Sequence, residues 1–432
     1  MRILFVTKFP PLQGGVSTEA YWNAIELGRC GHHVAVLSIG SADCESSARA
    51  VMLPDDDRVL SNFCMGSQVR FFATSPFAPY VVVPQSLCTT ARLFGRGIEL
   101  LDVHRPDWIV GNYFQPFGVV AAQLAAARGI PLIVRHAGSD IGSLSDHPDL
   151  APAYREMLRR ATYVLTSHQT EPRQRLLGLG VQPRKMRSFP MTAIPDAFGA
   201  PIHPFALTEY SSAAPDYFRS MGLSEDLVRR LSAVNAEWPN GSGPVFCVFS
   251  KAGRVKGIYD LVKALKELAD AGCAFRFISC VAGNVNALRT YIENVVGVST
   301  LANRSLLLPF IPCWRMPALL SLIDVAFVLE RNFPIRFHTP RVVREILAAG
   351  ARLVVSSEVW NKQPFRNLEG FDHVVVAQDP TNPSDIVGAV RRVLENATLA
   401  IQDRESRKAT FRDWERALGL TRSPLTALLA SV

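Results

Sequence analysis

Lys251, Arg254 and Lys256 fall in one short loop after the apolar run PVFCVFS (244–250), with Gly253 and Gly257 among them. Fixed cations beside glycines that admit a close neighbour suit an anion such as a phosphate. The plainer reading is a solvated basic loop that opens a helix. A related loop starts the chain. The run RILFVT (2–7) breaks into KFPPLQGGVSTEA (8–20), which leads into a helical pattern. Glycines there let a backbone approach a ligand, and a helix N-terminus offers free N–H groups, so Gly14 and Gly15 are candidates to face a phosphate. The loop lacks both G-x-G-x-x-G and G-K-[ST], which sets aside the dinucleotide fingerprint and the ATPase phosphate loop. Further polar candidates stand at the ends of apolar runs. Glu330 closes DVAFVLE (324–330), His136, Ser139 and Asp140 follow IPLIVR, and Glu345 lies early in PRVVREILAAG (340–350), where a helix dipole alone would also favour a carboxylate.

The elements that would position these residues alternate. Strand patterns over 2–9, 32–38, 106–114, 130–140 (a strand with its C-terminal loop), 161–168 and 185–190 are separated by helical patterns over 17–30, 90–105 and the stretches GVVAAQLAAARG and AYREMLRRA. A second series starts at 244–250 and continues through 258–272 (helix), FRFISCVAG, 306–311, MPALLSLI (helix), 324–330, 340–350 (helix), 351–358, 372–378 and NPSDIVGAVRRVLENA (helix). Such alternation predicts parallel sheets covered by helices on both faces. At 432 residues the chain exceeds one ordinary core. The expectation is α/β, two doubly wound Rossmann-like domains facing a central cleft: 1–200, a joint over 201–242 where strand signal is poor, 243–402, and C-terminal helices over 403–432 that cross back to the first domain. Ligands of open α/β sheets bind at the carboxyl ends of the strands.

Composition narrows the class. Hydrophobic residues make up 48% and charged residues 19%, which fits a large buried core and argues against disorder. The net charge of +8 suits an anionic ligand or an acidic membrane surface, or simply a mildly basic protein. No aromatic-basic motif supports nucleic-acid binding. The eight cysteines show no C-x-x-C spacing and read as reduced thiols of a cytoplasmic protein. The nine histidines show no zinc pattern, and D-x-D in PDDDR (54–58) reads as an acidic surface turn. The N-terminus lacks a signal-peptide shape, and no apolar stretch reaches the roughly 20 residues of a membrane span.

Taken in order, these segments resemble retaining glycosyltransferases of the GT-B fold, most closely the family-4 type. RILFVT…GGVSTEAYWNAIELGRCGHHVAVLS resembles that family's first strand, glycine loop, helix and second strand. PLIVRHAGSD resembles its HGSD-type loop. ATYVLTSHQTEPRQRLLGLGV and KMRSFP resemble the end of its N-terminal domain. FSKAGRVKGIYDLVKAL resembles its donor-phosphate segment, and IPCWRMPALLSLIDVAFVLE with PRVVREILAAGARLVVSSE its glutamate-bearing nucleotide site.

The resemblance implies transfer of a hexose from a nucleotide diphosphate sugar to a hydroxyl acceptor, without a cofactor or metal. Lys256 matches the family's lysine before glycine, and either Lys251 or Arg254 takes the place of its arginine. Glu345 matches the glutamate that accepts from the donor ribose. The family spaces its two glutamates E-x7-E, whereas Glu330 stands fifteen positions before Glu345 (345 − 330 = 15). Glu330 is then either the first glutamate on a longer loop or a strand-end carboxylate paired with Arg331 or Arg336. In the first case His338 and Thr339 are extra loop donors near the sugar or phosphate. His136 or Asp140 would orient an acceptor hydroxyl or steady an oxocarbenium-like transition state. Asn112 stands where the family often carries a histidine, which turns attention to front-face attack with the leaving phosphate taking the proton. A nucleotide-sugar epimerase of the same fold and an inactive glycan- or nucleotide-binding module are the alternatives. Basic amphipathic helices in the first domain suit peripheral contact with anionic lipid at the inner face of a membrane.

Overall fold

The computed structural model describes residues 1–40, 49–56, 69–73, 87–189, 191–201, 204–238, 242–334, 338–399, 403–420 and 424–431. Two compact units account for them. The first holds Met1–Ala193 and Leu420–Val432, and the second holds Ile194–Pro334 and His338–Gly419.

The first unit is built on a seven-stranded sheet: β1 (Arg2–Thr7), β2 (His33–Ser38), β3 (Val69–Ala73), β4 (Trp108–Asn112), β5 (Leu132–Arg135), β6 (Tyr163–Thr166) and β7 (Met186–Ser188), in the order β3-β2-β1-β4-β5-β6-β7. Every neighbouring pair is parallel. Parallel strands are covered on both faces, so they read as unbroken apolar runs; RILFVT is buried at every position after Arg2. Leu4, Val6, Ile109 and Val134 belong to one core with residues of helices Leu87–His104, Val119–Arg128 and Ala151–Arg160. β3, a short edge strand, lies in a stretch whose pattern reads as loop. The last helix, Pro424–Ala430, lies in this unit beside helix Gly15–Arg29.

The second unit repeats the design with β8 (Val245–Lys251), β9 (Arg276–Ala282), β10 (Ser305–Leu308), β11 (Val325–Val328), β12 (Arg352–Ser356) and β13 (Val374–Ala377), ordered β10-β9-β8-β11-β12-β13 and parallel throughout. The stretch after 201, poor in strand signal, forms helices Leu207–Ser220 and Glu225–Glu237. They pack on β10 within this unit, where Asn235 caps the strand by accepting from Leu307 N–H (2.8 Å) and donating to its carbonyl (2.9 Å). Helix Arg404–Ala417 also belongs here, packed on helix Arg341–Ala348.

In each sheet the chain order reverses beside the first strand, between β1 and β4 and between β8 and β11. The connections leave in opposite directions there and open a crevice at the carboxyl ends of the strands. The loops carrying Gly14, Asn112, Lys256 and Glu330 all rise from these two places.

His373, just before β13, is 5% exposed, and both of its ring nitrogens are enclosed without partners. Burial, then the charges of Arg407 and Arg352, bring its pKa down to about 3. The folded chain therefore holds it neutral, while the unfolded chain binds a proton below about pH 6.5. Stability should be lost as pH falls from 6.5 toward 3. The urea midpoint is expected to drop over that interval, and His373→Leu to flatten the drop; an equal slope in both proteins would assign the acid sensitivity elsewhere.

Candidate functional site

At the first switch point Thr7 and Asn112 end β1 and β4 in register. Asn112 is 1% exposed; its Nδ2 donates to Thr7 Oγ1 (3.2 Å) and its Oδ1 is enclosed without a partner. Gly14 adopts φ +118°, a conformation that disfavours side chains, and starts helix Gly15–Arg29. Lys8 Nζ lies 3.7 Å from where a Cβ on Gly14 would sit, while a Cβ on Gly15 would meet nothing within 4 Å. No acidic residue occupies the first turn of that helix. A lysine ammonium and an open helix N-terminus thus share one place, which suits an anion. Lys8 stands six residues before Gly14 in the same loop, and only the folded turn brings its charge to the glycines.

The loop after β5 is organised by Asp140, which is fully buried. Its Oδ1 accepts from the N–H groups of Ala137 (3.0 Å), Gly138 (3.0 Å) and Ile141 (2.9 Å), and its Oδ2 from those of Ala137 (3.0 Å) and Phe114 (3.1 Å). Burial pushes the carboxyl up to about 6, and the four N–H donors pull the other way by favouring the carboxylate. Asp140 therefore ties the loop after β5 to the turn after β4. In that turn Tyr113 sits at φ 77°, a strained value for a side chain, and its hydroxyl shares a 2.8 Å hydrogen bond with Ser139 Oγ. His136 Nε2 shares a 2.9 Å hydrogen bond with Thr166 Oγ1 at the end of β6, and its Nδ1 is enclosed without a partner. Burial, then the charge of Arg135, bring this imidazole down to about 3, so it is neutral near pH 7.

The second switch point gathers most of the remaining candidates. Gly257 has φ +68°, and a Cβ there would lie 2.3 Å from the Leu329 carbonyl oxygen. Only glycine allows the basic loop to press against the end of β11. The contact is reinforced by Arg331, whose N–H donates to the Val255 carbonyl (2.9 Å) and whose guanidinium pairs with Asp260 (2.7 Å). Across it Lys256 forms an ion pair with Glu330, which is 7% exposed. His338 Nε2 lies 3.8 Å from the other Glu330 oxygen, and burial lowers its pKa while Glu330 raises it. Phe333 packs against both side chains, 4.5 Å from Lys256 Nζ and with its ring centroid 4.5 Å from that of the His338 imidazole. Glu358 fixes this loop by accepting from the N–H groups of Asn332 and Phe333. Of the two partners expected for a merely structural Glu330, Arg331 is engaged by Asp260 and Arg336 lies outside the described residues.

Lys251 and Arg254 are exposed and have no carboxylate partner among the described residues. Desolvation at the strand end, then the charge of Lys256, lower the Lys251 ammonium pKa. Glu345, 5% exposed, gives Oε1 to Arg341 Nε at 2.8 Å and leaves Oε2 without a protein partner. Thr339 is half-buried just before that helix. Sequence reasoning missed Phe333, Glu358 and Arg341, whose roles depend on contacts across loops or around a helix turn. Of PDDDR (54–58), Asp56 is buried and accepts from Leu53 N–H (3.1 Å), while 57 and 58 lie outside the described residues. Among the described residues no group of three or more His, Cys, Asp or Glu is placed to hold a metal ion, and no helix is long and apolar enough to cross a membrane.

Two Rossmann-like sheets, each with polar side chains at its switch point, narrow the fold to a few families. Residues 14–192 match the family model described as a glycosyl transferase 4-like domain. The fold is GT-B, and the family-model match lies within its first unit. This GT-B chain is similar to Anabaena HepE, solved in complex with UDP-glucose (15% identity, TM-score 0.64, all of both chains covered). It is also similar to sucrose-phosphate synthase from Thermosynechococcus elongatus (13%, 0.59, 95% of this chain and 94% of that one) and to a UDP-N-acetylglucosamine 2-epimerase (12%, 0.50, 95% and 90%). No curated protein matches the sequence.

Two variants probe the geometry. Asp140→Asn puts an amide NH2 against backbone donors and is expected to cost about 2 kcal/mol of folding stability, read by urea denaturation; an unchanged midpoint would mean the loop does not depend on the carboxylate. Glu330→Gln leaves Lys256 without its counter-charge. It should lower the melting temperature and tighten pyrophosphate binding roughly tenfold, ~1.4 kcal/mol, by calorimetry. Weaker binding would make Glu330 a support of the site and not a competitor for the lysine.

Proposed function

We propose that this GT-B chain transfers a hexose from a nucleotide diphosphate sugar to a hydroxyl acceptor with retention and without a metal. The observation that carries the reading is the cluster at the β8–β11 switch point, where among the described residues Lys251 and Arg254 have no carboxylate partner, Lys256 pairs with Glu330, and Arg341 bonds one of the two Glu345 oxygens. When the bond between the sugar anomeric carbon and the diphosphate oxygen breaks, the leaving group gains negative charge. Cations fixed on a glycine-braced loop are already in place to stabilise it, so little reorganisation accompanies the reaction. Glu345 Oε2 accepts from the donor ribose, His338 and Thr339 donate near the sugar or phosphate, and Glu330 turns from Lys256 to the sugar hydroxyls. Gly14, Gly15 and Lys8 offer an anion-binding surface of their own at the first switch point.

The acceptor belongs at the strand ends of the first sheet. Neither expected base there is free to act as one: His136 is too weakly basic, and Asp140 is occupied by backbone N–H groups. We therefore read Asp140 as a positioning residue and His136 as a neutral hydrogen-bonding group. The acceptor oxygen bonds the anomeric carbon on the face the diphosphate leaves, and its proton passes to the leaving phosphate oxygen. The exposed Arg155, Arg159 and Arg160 of helix Ala151–Arg160 support a cytoplasmic location with peripheral contact to anionic lipid.

The test is a thermal-shift panel of UDP, GDP, ADP and their sugars with EDTA present, followed by NMR of products with candidate acceptors. One nucleotide, at a hundred times its dissociation constant, should stabilise the wild type by about 2.7 kcal/mol and so raise its melting temperature. Lys256→Ala and Glu345→Ala should abolish the shift, and the product should keep the donor's anomeric configuration. A folded wild type that responds to no nucleotide would sink the reading, and a donor sugar returned epimerised without transfer would replace transfer by epimerisation.

A further inference from the structure

Arg341 is the first residue of helix Arg341–Ala348, where the helix dipole disfavours a cation. Its side chain is nonetheless largely enclosed. One face of the guanidinium is explained, because Nε donates to Glu345 Oε1 at 2.8 Å, one helix turn further on. The other face is not, because Nη2 is enclosed and has no hydrogen-bond partner among the described residues. Cys313, in the loop after β10, is buried close enough for both charges to act on its thiol: burial first and then Glu345 push its pKa up, and Arg341 opposes them. Beside this ion pair one Glu345 oxygen and one Arg341 nitrogen have no hydrogen-bond partner among the described residues.

An enclosed guanidinium N–H without an acceptor is costly, and so is a cation placed against a dipole. A ligand oxygen beside Glu345 would satisfy both leftover atoms together, since a hydroxyl can donate to Oε2 while accepting from Nη2. We propose that Arg341 is a positioning residue for the sugar moiety of a nucleoside diphosphate. It holds Glu345 in one rotamer and completes a donor–acceptor pair that takes a ribose hydroxyl, leaving the phosphates to Lys251, Arg254 and Lys256. The role rests on the donor-site reading above.

The experiment is calorimetric titration of UDP, GDP, ADP and pyrophosphate into wild type, Arg341→Gln, Glu345→Gln and the double variant. Arg341→Gln should weaken the bound nucleoside diphosphate about tenfold and leave pyrophosphate unchanged. The double variant should bind more weakly than Glu345→Gln alone but by less than the sum of the two single losses, because the two side chains share one hydroxyl and one holds the other in place. Arg341→Lys, which keeps the charge with fewer donors, should recover part of the loss and serves in place of Arg341→Gln if that protein melts early. Equal weakening of pyrophosphate would make Arg341 a phosphate ligand and overturn the assignment, as would additive losses in the double variant. A wild type that binds pyrophosphate but no nucleoside diphosphate would overturn the donor-site reading and this role with it. Intact nucleotide binding in wild type and in Arg341→Gln alike would overturn this role alone.

Discussion

The second unit is organised around the ion pair between Lys256 and Glu330. Each charge is largely withdrawn from water, so each depends on the other, and removing one would strand its partner in a poorly solvated place. The pair joins the loop after β8 to the loop after β11, across the point where the sheet reverses its winding. Gly257 makes the approach sterically possible, Arg331 and Asp260 hold the two loops in register, and Phe333 floors the site. An anion that takes Lys256 from Glu330 would change the charge balance of both loops.

The first unit solves a different problem by a similar device. Its buried carboxylate, Asp140, is neutralised by backbone N–H groups and not by a cation. The two loops it fixes carry Tyr113 and Ser139 on one side and His136 on the other. A loop built this way is rigid but offers no strong base. In the proposed transfer, the charged groups of the second unit stabilise the leaving group, the neutral groups of the first position the acceptor, and the leaving phosphate takes the proton.

Much of the fold was legible in the sequence because parallel strands buried on both faces leave unbroken apolar runs, and glycine-ended helical patterns separate them. RILFVT, PVFCVFS and ARLVVSSE all form strands within the runs that announced them. β3 escaped because a five-residue edge strand has too little pattern to stand out from its loop. The helices after 201 were legible only as a lack of strand signal, and nothing local indicates that they cover β10.

By itself the sequence determined the element types, the sheet class, and which polar residues stand at strand ends, because those follow from local periodicity and from where apolar runs stop. It also placed Lys256 and Glu345 in their loop and helix by motif. Tertiary structure decided the pairings. Glu330 meets Lys256, 74 residues away in sequence, Arg331 meets Asp260, and Asp140 turns inward. A charge's partner is set by which loops the sheet order brings together and by how much water each group loses there. Neither quantity is encoded in the spacing of residues along the chain.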